Sequence, residues 1–423
     1  MTILSRIDIL EKFSYVFTVV FLFVVISYYI LFFLKERKGK KEKSFSSVTI
    51  IIPAHNEEKH IEECIVSILK ASFEGWKEII VVDDGSSDNT SRICIKFKKV
   101  TLIKTRHSGK SASINRALGM ARGEIIAIVD ADSMIQEDSL MLMKTEIEKE
   151  NVAAVSCVIK VSNRKRFIGM WLHIEQLYNS LMRSLFSKIN ANITVPGPLS
   201  LYRKKELLSI KGFNTKSLSE DTDVGVRLIR KGYRIRFAEK AFVETYMPDD
   251  IKGFFRQRSR FAKGITNIFK KHIRINNTSI DLYTFPILFF TYAQAVIMGS
   301  FIIYQILSGY FMYFASKGIY FNFSVLKFFF EWLSIVGFFR WIYSVFINHS
   351  FGLVTVAGII STLLTYPLYI ISILKFDRKI DFWHIVPVFF MFPFWLLIMS
   401  VYIFWIPEYF KKEQKNIWNK NEQ

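Results

Sequence analysis

Apolar segments long enough to cross a membrane bracket the charged central part of this chain. Tyr15–Leu34 has twenty residues without a charge, enough to cross a hydrocarbon core of roughly 30 Å. A cleaved signal peptide would have a shorter apolar core that ends in small residues, whereas this run ends in Leu-Lys-Glu-Arg-Lys. Apolar residues predominate again beyond Asp281. We therefore expect a retained anchor with its linker over residues 1–45 and a transmembrane bundle over residues 281–410.

The charges that follow the first apolar segment predict its orientation. Six basic residues come directly after it: Lys35, Arg37, Lys38, Lys40, Lys41 and Lys43. Because basic residues concentrate on the cytoplasmic side of membranes, the domain that follows is expected in the cytoplasm of a multi-pass cell-membrane protein. The run would also attract anionic lipid headgroups, although a solvated linker is compatible with the same residues.

The C-terminal part predicts either three or four further spans. The candidates are residues 285–312, 328–347, 351–374 and 384–406. The second contains Glu331 and Arg340, which are costly in lipid, so it could be tilted, re-entrant or directed at a polar interior. Four spans return the cytosolic tail, residues 411–423, to the cytoplasm, and three do not; we expect four. Four spans also leave three basic residues outside, against the charge rule: Lys375, Arg378 and Lys379.

Composition and spacing argue against a nucleic-acid-binding protein and against a zinc-binding protein. The net charge of +20 does not predict nucleic-acid binding, because the basic residues cluster beside the apolar segments. Cys64, Cys94 and Cys157 lack metal-site spacing and are expected to be buried thiols in a reducing compartment. The seven histidines form no cluster with the spacing of zinc ligands.

Residues 47–160 alternate apolar strand-like runs with helix-like runs, as a layered α/β domain does. The predicted strands are Ser47–Pro53, Glu78–Val82, Val100–Lys104 and Glu124–Val129. The predicted helices are Glu58–Lys70, Asp88–Phe97 and Ser111–Ala121. Continuous apolar strands separated by helices indicate a Rossmann-like parallel sheet covered on both faces, which binds its ligand at the carboxyl ends of the strands. We place this cytosolic domain at residues 46–250.

Two later stretches are amphipathic. Arg166–Lys188 is expected either to lie in the membrane interface or to pack on the sheet, and the pattern does not decide between the two. Ile251–His272 carries many basic residues and leads into the apolar part of the chain. We therefore expect residues 251–280 to form an interface helix region.

Carboxylates follow two of the predicted strands, where a nucleotide diphosphate would bind. Asp130 and Asp132 come after Ile-Ile-Ala-Ile-Val, and a spacer of one residue lets both approach one Mg²⁺ or Mn²⁺ ion, which prefers oxygen ligands. Asp83 and Asp84 come after another strand, where a carboxylate can accept the N–H of a base. Further candidate contacts to the nucleotide are Pro53, Glu57 and Lys110.

Two later motifs complete the candidate site. In Ser-Glu220-Asp221, Asp221 is the candidate general base, which takes the proton of an acceptor hydroxyl during displacement at an anomeric carbon. A helix N-cap is the structural alternative, and both roles are compatible. The segment Gln257–Phe261 supplies donors suited to a leaving diphosphate, and an aromatic ring that could stack on the acceptor. Its named candidates, with Glu220, are Gln257, Arg258, Arg260 and Phe261.

In this order the motifs resemble those of membrane-integrated family 2 glycosyltransferases, such as cellulose, hyaluronan and poly-N-acetylglucosamine synthases. The resemblance runs from about residue 46 to residue 272, and it implies a GT-A fold with inverting, metal-dependent chemistry on a UDP-sugar. It makes Asp83 and Asp84 the uridine-binding aspartates and Asp221 the general base. It also makes Asp130 and Asp132 the Asp-x-Asp motif, with Asp132 the principal metal ligand.

The resemblance departs from the family at one position. Gln257, Arg260 and Phe261 match a Gln-x-x-Arg-Trp motif in which Phe replaces Trp. In the family this Trp lies at the acceptor end of the site. The replacement therefore concerns the acceptor and processivity more than the reaction.

The resemblance implies an enzyme that polymerises a UDP-sugar, with UDP-N-acetylglucosamine the preferred donor, and extrudes a β-linked polysaccharide. The expected partners are the donor, a growing glycan, the bilayer and accessory subunits, without nucleic acid. The alternative is transfer of a single sugar to a membrane lipid.

Overall fold

The computed structural model describes residues 3–36, 39–273 and 278–409. The chain divides into two compact units. Within the described residues, the helical unit comprises residues 3–33 and 286–409 and begins with α1 (Ile3–Phe33). The α/β unit comprises the described residues from 34 to 285. The predicted cytosolic tail, residues 411–423, lies outside the described residues.

Within the described residues, the α/β unit contains one mixed sheet of eight strands in the order β3-β2-β1-β4-β7-β6-β8-β5. The strands are β1 (Ser47–Ala54), β2 (Trp76–Asp83), β3 (Val100–Lys104), β4 (Ile125–Ile128), β5 (Ser133–Ile135), β6 (Val152–Val161), β7 (Ser200–Arg203) and β8 (Arg234–Thr245). The four strands predicted from sequence are confirmed within one to two residues at most ends. They are parallel to one another.

The sequence predicts parallel pairing for the strands up to β4, and beyond β4 the sheet is mixed. β7 is antiparallel to both of its neighbours, β4 and β6, and β5 is antiparallel to β8. Only β6 and β8 return to a parallel pairing. β7 is only four residues long and its apolar pattern carries no information about chain direction.

Helices cover the sheet. They are α2 (Ile61–Lys70), α3 (Thr90–Ile95), α4 (Lys110–Met120), α5 (Ser139–Ile147), α6 (Phe167–Lys188), α7 (Lys204–Ser209), α8 (Glu220–Arg230) and α9 (Ile251–His272). The main core lies between β1, β2, β4, β6, α2 and α5, and it includes the fully buried Ile50, Ile52 and Ile65. The three cysteines are buried free thiols, as predicted.

The two amphipathic stretches behave differently. α6 packs on the sheet: its Leu172, Leu177 and Leu181 are fully buried, and its Ser180 hydroxyl accepts a hydrogen bond from the Ile159 N–H of β6. α9 buries one face only, through Phe254 and its neighbours, and leaves its basic face exposed. The packed alternative is therefore confirmed for α6, and an interfacial role for α9 stays a prediction.

The helical unit contains six further apolar helices within the described residues. They are α10 (Phe285–Tyr313), α11 (Phe323–Leu333), α12 (Ile335–Ile347), α13 (Leu353–Phe376), α14 (Phe382–Phe389) and α15 (Met391–Tyr409). A π-helical turn (Ile280–Thr284) precedes α10 and a 3₁₀ turn (Ala315–Lys317) follows it. Among the described residues three helices are long and apolar enough to cross a membrane, or four if α14 and α15, bent by 60°, form one span.

The predicted span 328–347 is wrong as a single helix. Ser334 adopts an extended backbone (ψ 165°) that separates α11 from α12. Glu331 and Arg340, the two charges that made this segment costly in lipid, form an ion pair with each other across the break. The break allows these charges to neutralise each other locally, which a straight helix would prevent because nine positions separate them along its axis.

Within the helical unit, α1 and α13 run in the same direction. A Cβ atom at Gly358 would lie 3.7 Å from the Thr18 methyl group, and further along both helices the Tyr29 hydroxyl donates to the Leu364 carbonyl at 2.7 Å. The basic residues after α13 therefore lie at the same end of this unit as the C-terminus of α1. The four-span prediction places Lys375, Arg378 and Lys379 at the opposite end, which disagrees with this arrangement, and the membrane topology stays a prediction.

A glycine on α8 provides a test of the packing around the site. A Cβ atom at Gly225 would lie 1.9 Å from the Ile193 carbonyl oxygen, so Gly225→Ala is expected to cost about 1–3 kcal/mol of stability. The matched control is Gly119→Ala on α4, where no atom lies within 4 Å of the added methyl group. Thermal unfolding of the full chain in detergent should show a lower Tm for Gly225→Ala only. Equal Tm values for the two variants would contradict this packing.

Candidate active site

The loops after β1 and β2 meet at one edge of the sheet, because Ala54 at the end of β1 is paired with Asp83 at the end of β2. The Asp83 carboxylate accepts the Ser86 N–H at 2.8 Å and the Ser91 hydroxyl, and it is almost fully buried. It therefore lies at the predicted strand end, and its oxygens hold the loop that leads into α3.

Asp84 is fully buried and holds the loop between β3 and α4. Its carboxylate accepts the N–H groups of Ser108 (2.9 Å) and Gly109 (2.8 Å) and the Thr105 hydroxyl (3.1 Å), and it lies 3.0 Å from the His107 ring. Burial alone would raise the pKa of Asp84, but the donated hydrogen bonds outweigh it and hold the pKa below its usual value. Asp84 thereby fixes the start of α4, where Lys110 lies.

The segment after β1 is tied to the same edge. Pro53 is buried in β1, and the Glu57 N–H beyond it donates to the Thr90 hydroxyl at 2.8 Å. Burial raises the pKa of the Cys64 thiol, and the charges of Asp132, Asp130 and Glu57 raise it further. The Cys64 thiol on α2 itself donates to the Asp130 carbonyl oxygen at 3.5 Å, so this part of α2 lies close to the segment after β4.

Lys110 joins the motifs that follow β4 and open α8. Its ammonium lies 2.6 Å from Asp130 and 3.5 Å from Glu220. A Cβ atom at Gly197 would lie 2.5 Å from this ammonium and 2.6 Å from the Asp130 carboxylate. A side chain at position 197 would therefore displace the ammonium or the carboxylate from this pairing.

Asp132 points toward β8 at the same strand end. Its carboxylate accepts the hydroxyls of Ser133 (3.2 Å) and Thr245 (3.3 Å). Asp130 and Asp132 supply oxygen ligands, which Mg²⁺ and Mn²⁺ prefer, and two carboxylates leave further positions for phosphate oxygens and water. The donor set therefore fits a divalent ion that is shared with a diphosphate.

Asp221 lies in the first turn of α8, beside Glu220. Its carboxylate accepts the Thr222 N–H at 2.7 Å and the Ser219 hydroxyl at 3.1 Å. Burial raises the pKa of Asp221 to about 6, and the charge of Glu220 adds to this, while Lys110 and the Thr222 N–H act in the opposite direction. A carboxylate with this pKa suits a general base that works near neutral pH.

The Gln257–Phe261 segment lies on α9, and its members have different surroundings. Gln257 donates to the Met247 sulfur at 3.3 Å, and within the described part of the chain its side-chain oxygen is buried without a hydrogen-bond partner. Arg260 and Phe261 are exposed. Arg258 is buried, donates to both carboxylate oxygens of Glu175, and lies against the Phe261 ring at 5.5 Å. This pairing is a reason to assign Arg258 to the support of α9.

The structure therefore brings together Lys110, Asp130, Glu220 and Asp221, which come from three motifs far apart in sequence. Sequence reasoning missed Asp223 and Glu175, which anchor α9. The sequence Glu-Asp-Thr-Asp contains a signal for Asp223. Acids two positions apart lie on opposite sides of a helix, so Asp221 and Asp223 are expected to have different partners. No local pattern indicated Glu175.

Comparison with known proteins identifies similar sequences. Residues 49–208 match the family described as Glycosyl transferase family 2. The chain is 27% identical over 226 residues to a poly-beta-1,6-N-acetyl-D-glucosamine synthase of Staphylococcus aureus (strain COL), which is 51% of this chain and 54% of the relative. It is 29% identical over 287 residues to the probable glycosyltransferase YdaM of Bacillus subtilis (strain 168), 63% of this chain and 67% of the relative. The chain spans about half the length of the synthases it matches.

A solved structure shows the same fold. It is a mannosyltransferase from Pyrobaculum calidifontis in complex with GDP-Man and Mn²⁺, with a TM-score of 0.57 and 19% identity, covering 89% of this chain and 99% of that one. The fold is thus that of GT-A-like glycosyltransferases, joined here to several long apolar helices. Residues 49–208 are thus a Glycosyl transferase family 2 domain.

The raised pKa of Asp221 predicts a pH dependence. If Asp221 acts as a base it must be ionised, so kcat/KM for nucleotide release should fall about tenfold per pH unit below about pH 6. Glu220→Gln removes a charge that raises this pKa, and the acid limb should therefore move to lower pH. A pH–rate profile for both chains checks this. An acid limb at the same pH in Glu220→Gln would contradict the assignment.

Proposed function

We propose that this chain is an inverting, metal-dependent glycosyltransferase that adds sugars from a UDP-sugar to a growing β-linked polysaccharide and extrudes it across the membrane. The observation that carries the proposal is the position of the Lys110 ammonium. It lies 2.6 Å from Asp130 and 3.5 Å from Glu220, the residue before Asp221, and so links the candidate metal site to the candidate base. Sugar transfer requires the donor and the acceptor to meet between a diphosphate-binding site and a general base. The link through Lys110 supports such an arrangement, because it keeps Asp130 close to the start of α8.

Each group of residues takes one task in this proposal. Asp83 and Asp84 hold the nucleotide loops, and Asp130 and Asp132 hold a Mg²⁺ or Mn²⁺ ion that neutralises diphosphate charge. Asp221 takes the proton of the acceptor hydroxyl. These roles follow the strand-end positions and the hydrogen bonds described above.

The acceptor end is proposed to lie along α9, with Gln257, Arg260 and Phe261. The side-chain oxygen of Gln257 is buried and, in the part of the chain that the structure describes, lacks a partner. Such an oxygen is costly unless a ligand hydroxyl satisfies it. Phe261 is 40% exposed, which leaves part of its ring for a sugar face.

N-acetylglucosamine is the preferred sugar because the relatives with 27–28% identity are named poly-beta-1,6-N-acetyl-D-glucosamine synthases. The structural neighbour was solved with GDP-Man, so a guanosine donor belongs in the same test. Transfer of one sugar to a membrane lipid is the second candidate, since Phe261 replaces the Trp of the processive relatives.

A donor screen with product sizing tests the function. Full-length protein in detergent would be incubated with radiolabelled UDP-N-acetylglucosamine, UDP-glucose, UDP-glucuronic acid or GDP-mannose and Mn²⁺. The expected result is a long, water-soluble ladder from UDP-N-acetylglucosamine alone. A single organic-extractable product would support the lipid acceptor, and no nucleotide release from any donor would contradict both functions.

We also propose that the α/β unit and the basic residues after α13 lie on the cytoplasmic side of the membrane. Helices α1 and α13 run in the same direction, and basic residues follow each of them in sequence. A single orientation in the membrane therefore satisfies the charge rule at both places.

Cysteine labelling tests this orientation, because the three native cysteines are buried and give little background. Lys379→Cys lies after α13 and Ser350→Cys lies before it, at opposite ends of one helix. In intact cells a membrane-impermeant maleimide should label Ser350→Cys and spare Lys379→Cys until the membrane is opened. The reverse pattern would contradict the proposed orientation.

A further inference from the structure

Helix α8 presents two aspartates to different surroundings. Asp221 and Asp223 are two residues apart and thus about 200° apart around the helix. Asp221 faces the Lys110 cluster, whereas Asp223 is fully buried and faces α9. Lys271 and His272 lie 2.7 and 2.8 Å from one Asp223 oxygen, and Arg227 lies 2.6 Å from the other.

These contacts to Asp223 join α9 to α8. Burial would raise the pKa of Asp223, but hydrogen bonds from His272 and Lys271 and the charge of Arg227 hold it well below its usual range. Asp223 is therefore ionised at any pH at which the chain would work. A buried ion pair of this kind is costly to break by removing one partner, which makes it a firm attachment point.

A second contact lies closer to the site. A Cβ atom at Gly264 of α9 would lie 3.0 Å from the Ser219 Cβ and 3.4 Å from its hydroxyl oxygen. Ser219 precedes α8, and its hydroxyl donates to the Asp221 carboxylate at 3.1 Å. Helix α9 thus rests directly on the residue that holds the candidate base, and the missing side chain at 264 sets how closely it rests.

A third contact fixes the other end of the helix. Arg258 donates to both oxygens of Glu175 on α6, with one N–O distance of 2.8 Å, and its guanidinium lies 5.2 Å from the Phe254 ring. The turn that contains Arg258 also carries Gln257, Arg260 and Phe261. The acceptor-side groups therefore have no freedom to approach or leave Asp221 independently of the helix.

We propose that Asp223 and Gly264 are positioning residues that set the distance between Asp221 and the groups of α9. The inference rests on the proposed function, and it assigns no direct contact with substrate to either residue. Asp223 fixes α9 along α8, and Gly264 fixes how near it lies. The nucleotide-holding residues Asp83, Asp84 and Asp130 are on other elements and do not depend on this attachment.

Gly264→Ala is the sharpest test, because it displaces α9 from Ser219 by a few tenths of an ångström and removes no charge. Gly119→Ala, in open space on α4, is the matched control. In the full chain in detergent, Gly264→Ala should bind UDP within about twofold of the unaltered chain. Its transfer rate should fall roughly tenfold. A larger share of the sugar should reach water instead of the acceptor.

Asp223→Asn and His272→Gln provide a second series. Asp223→Asn removes the charge that Lys271, Arg227 and the His272 ring contact, whereas His272→Gln keeps a hydrogen-bond donor at the contact. Both should raise the hydrolysed share of donor, with the smaller effect in His272→Gln. A loss of UDP affinity and transfer in equal proportion would instead assign these residues to fold stability alone and would overturn the inference.

The positioning role and the proposed function can be overturned separately. An active unaltered chain whose Gly264→Ala variant matches Gly119→Ala in rate and in hydrolysed share would overturn the positioning role only. An unaltered chain that releases no nucleotide from any donor would overturn the proposed function, and the positioning role with it.

Discussion

One ammonium group holds the two halves of the candidate site together. Lys110 lies between Asp130, which follows a strand, and Glu220, which begins a helix ninety residues later in sequence. Without a cation, Glu220, Asp221 and Asp130 would repel one another in a partly buried space. The backbone at Gly197 closes against this pair, and Asp84 holds the loop that leads to Lys110. The geometry of the site therefore depends on the balance between the positive charge of Lys110 and the negative charges of the carboxylates around it.

The fold was predictable where burial left a continuous apolar run. β1, β2 and β4 are buried on both faces along most of their length, so their apolar runs end close to where the strands end, and α9 occupies the predicted Ile251–His272. The reversal of β7 was not predictable, because strand direction depends on partners rather than on local pattern. The break at Ser334 was equally hidden, although Glu331 and Arg340 marked that segment as unfit for a plain span.

The motifs that hold the site were visible in sequence because carboxylates after apolar strands are unusual and their order is informative. Their partners were not visible. Arg258 has the same chemistry as Arg260 in sequence, yet it is buried against Glu175, 83 residues earlier, while Arg260 is exposed. Asp223 similarly resembles its neighbour Asp221 and faces the opposite side of α8. Only tertiary packing separates the groups that could meet a substrate from those that support them.

In the proposed mechanism, one set of carboxylates holds the donor and a different carboxylate removes the acceptor proton. UDP binding to the full chain, titrated with and without Mn²⁺, tests this most directly. We expect Mn²⁺ to tighten UDP binding and Asp130→Asn to abolish this effect. Asp221→Asn should keep the effect of Mn²⁺ while losing all turnover. Loss of UDP affinity in Asp221→Asn, or binding to the unaltered chain that is indifferent to Mn²⁺, would contradict it.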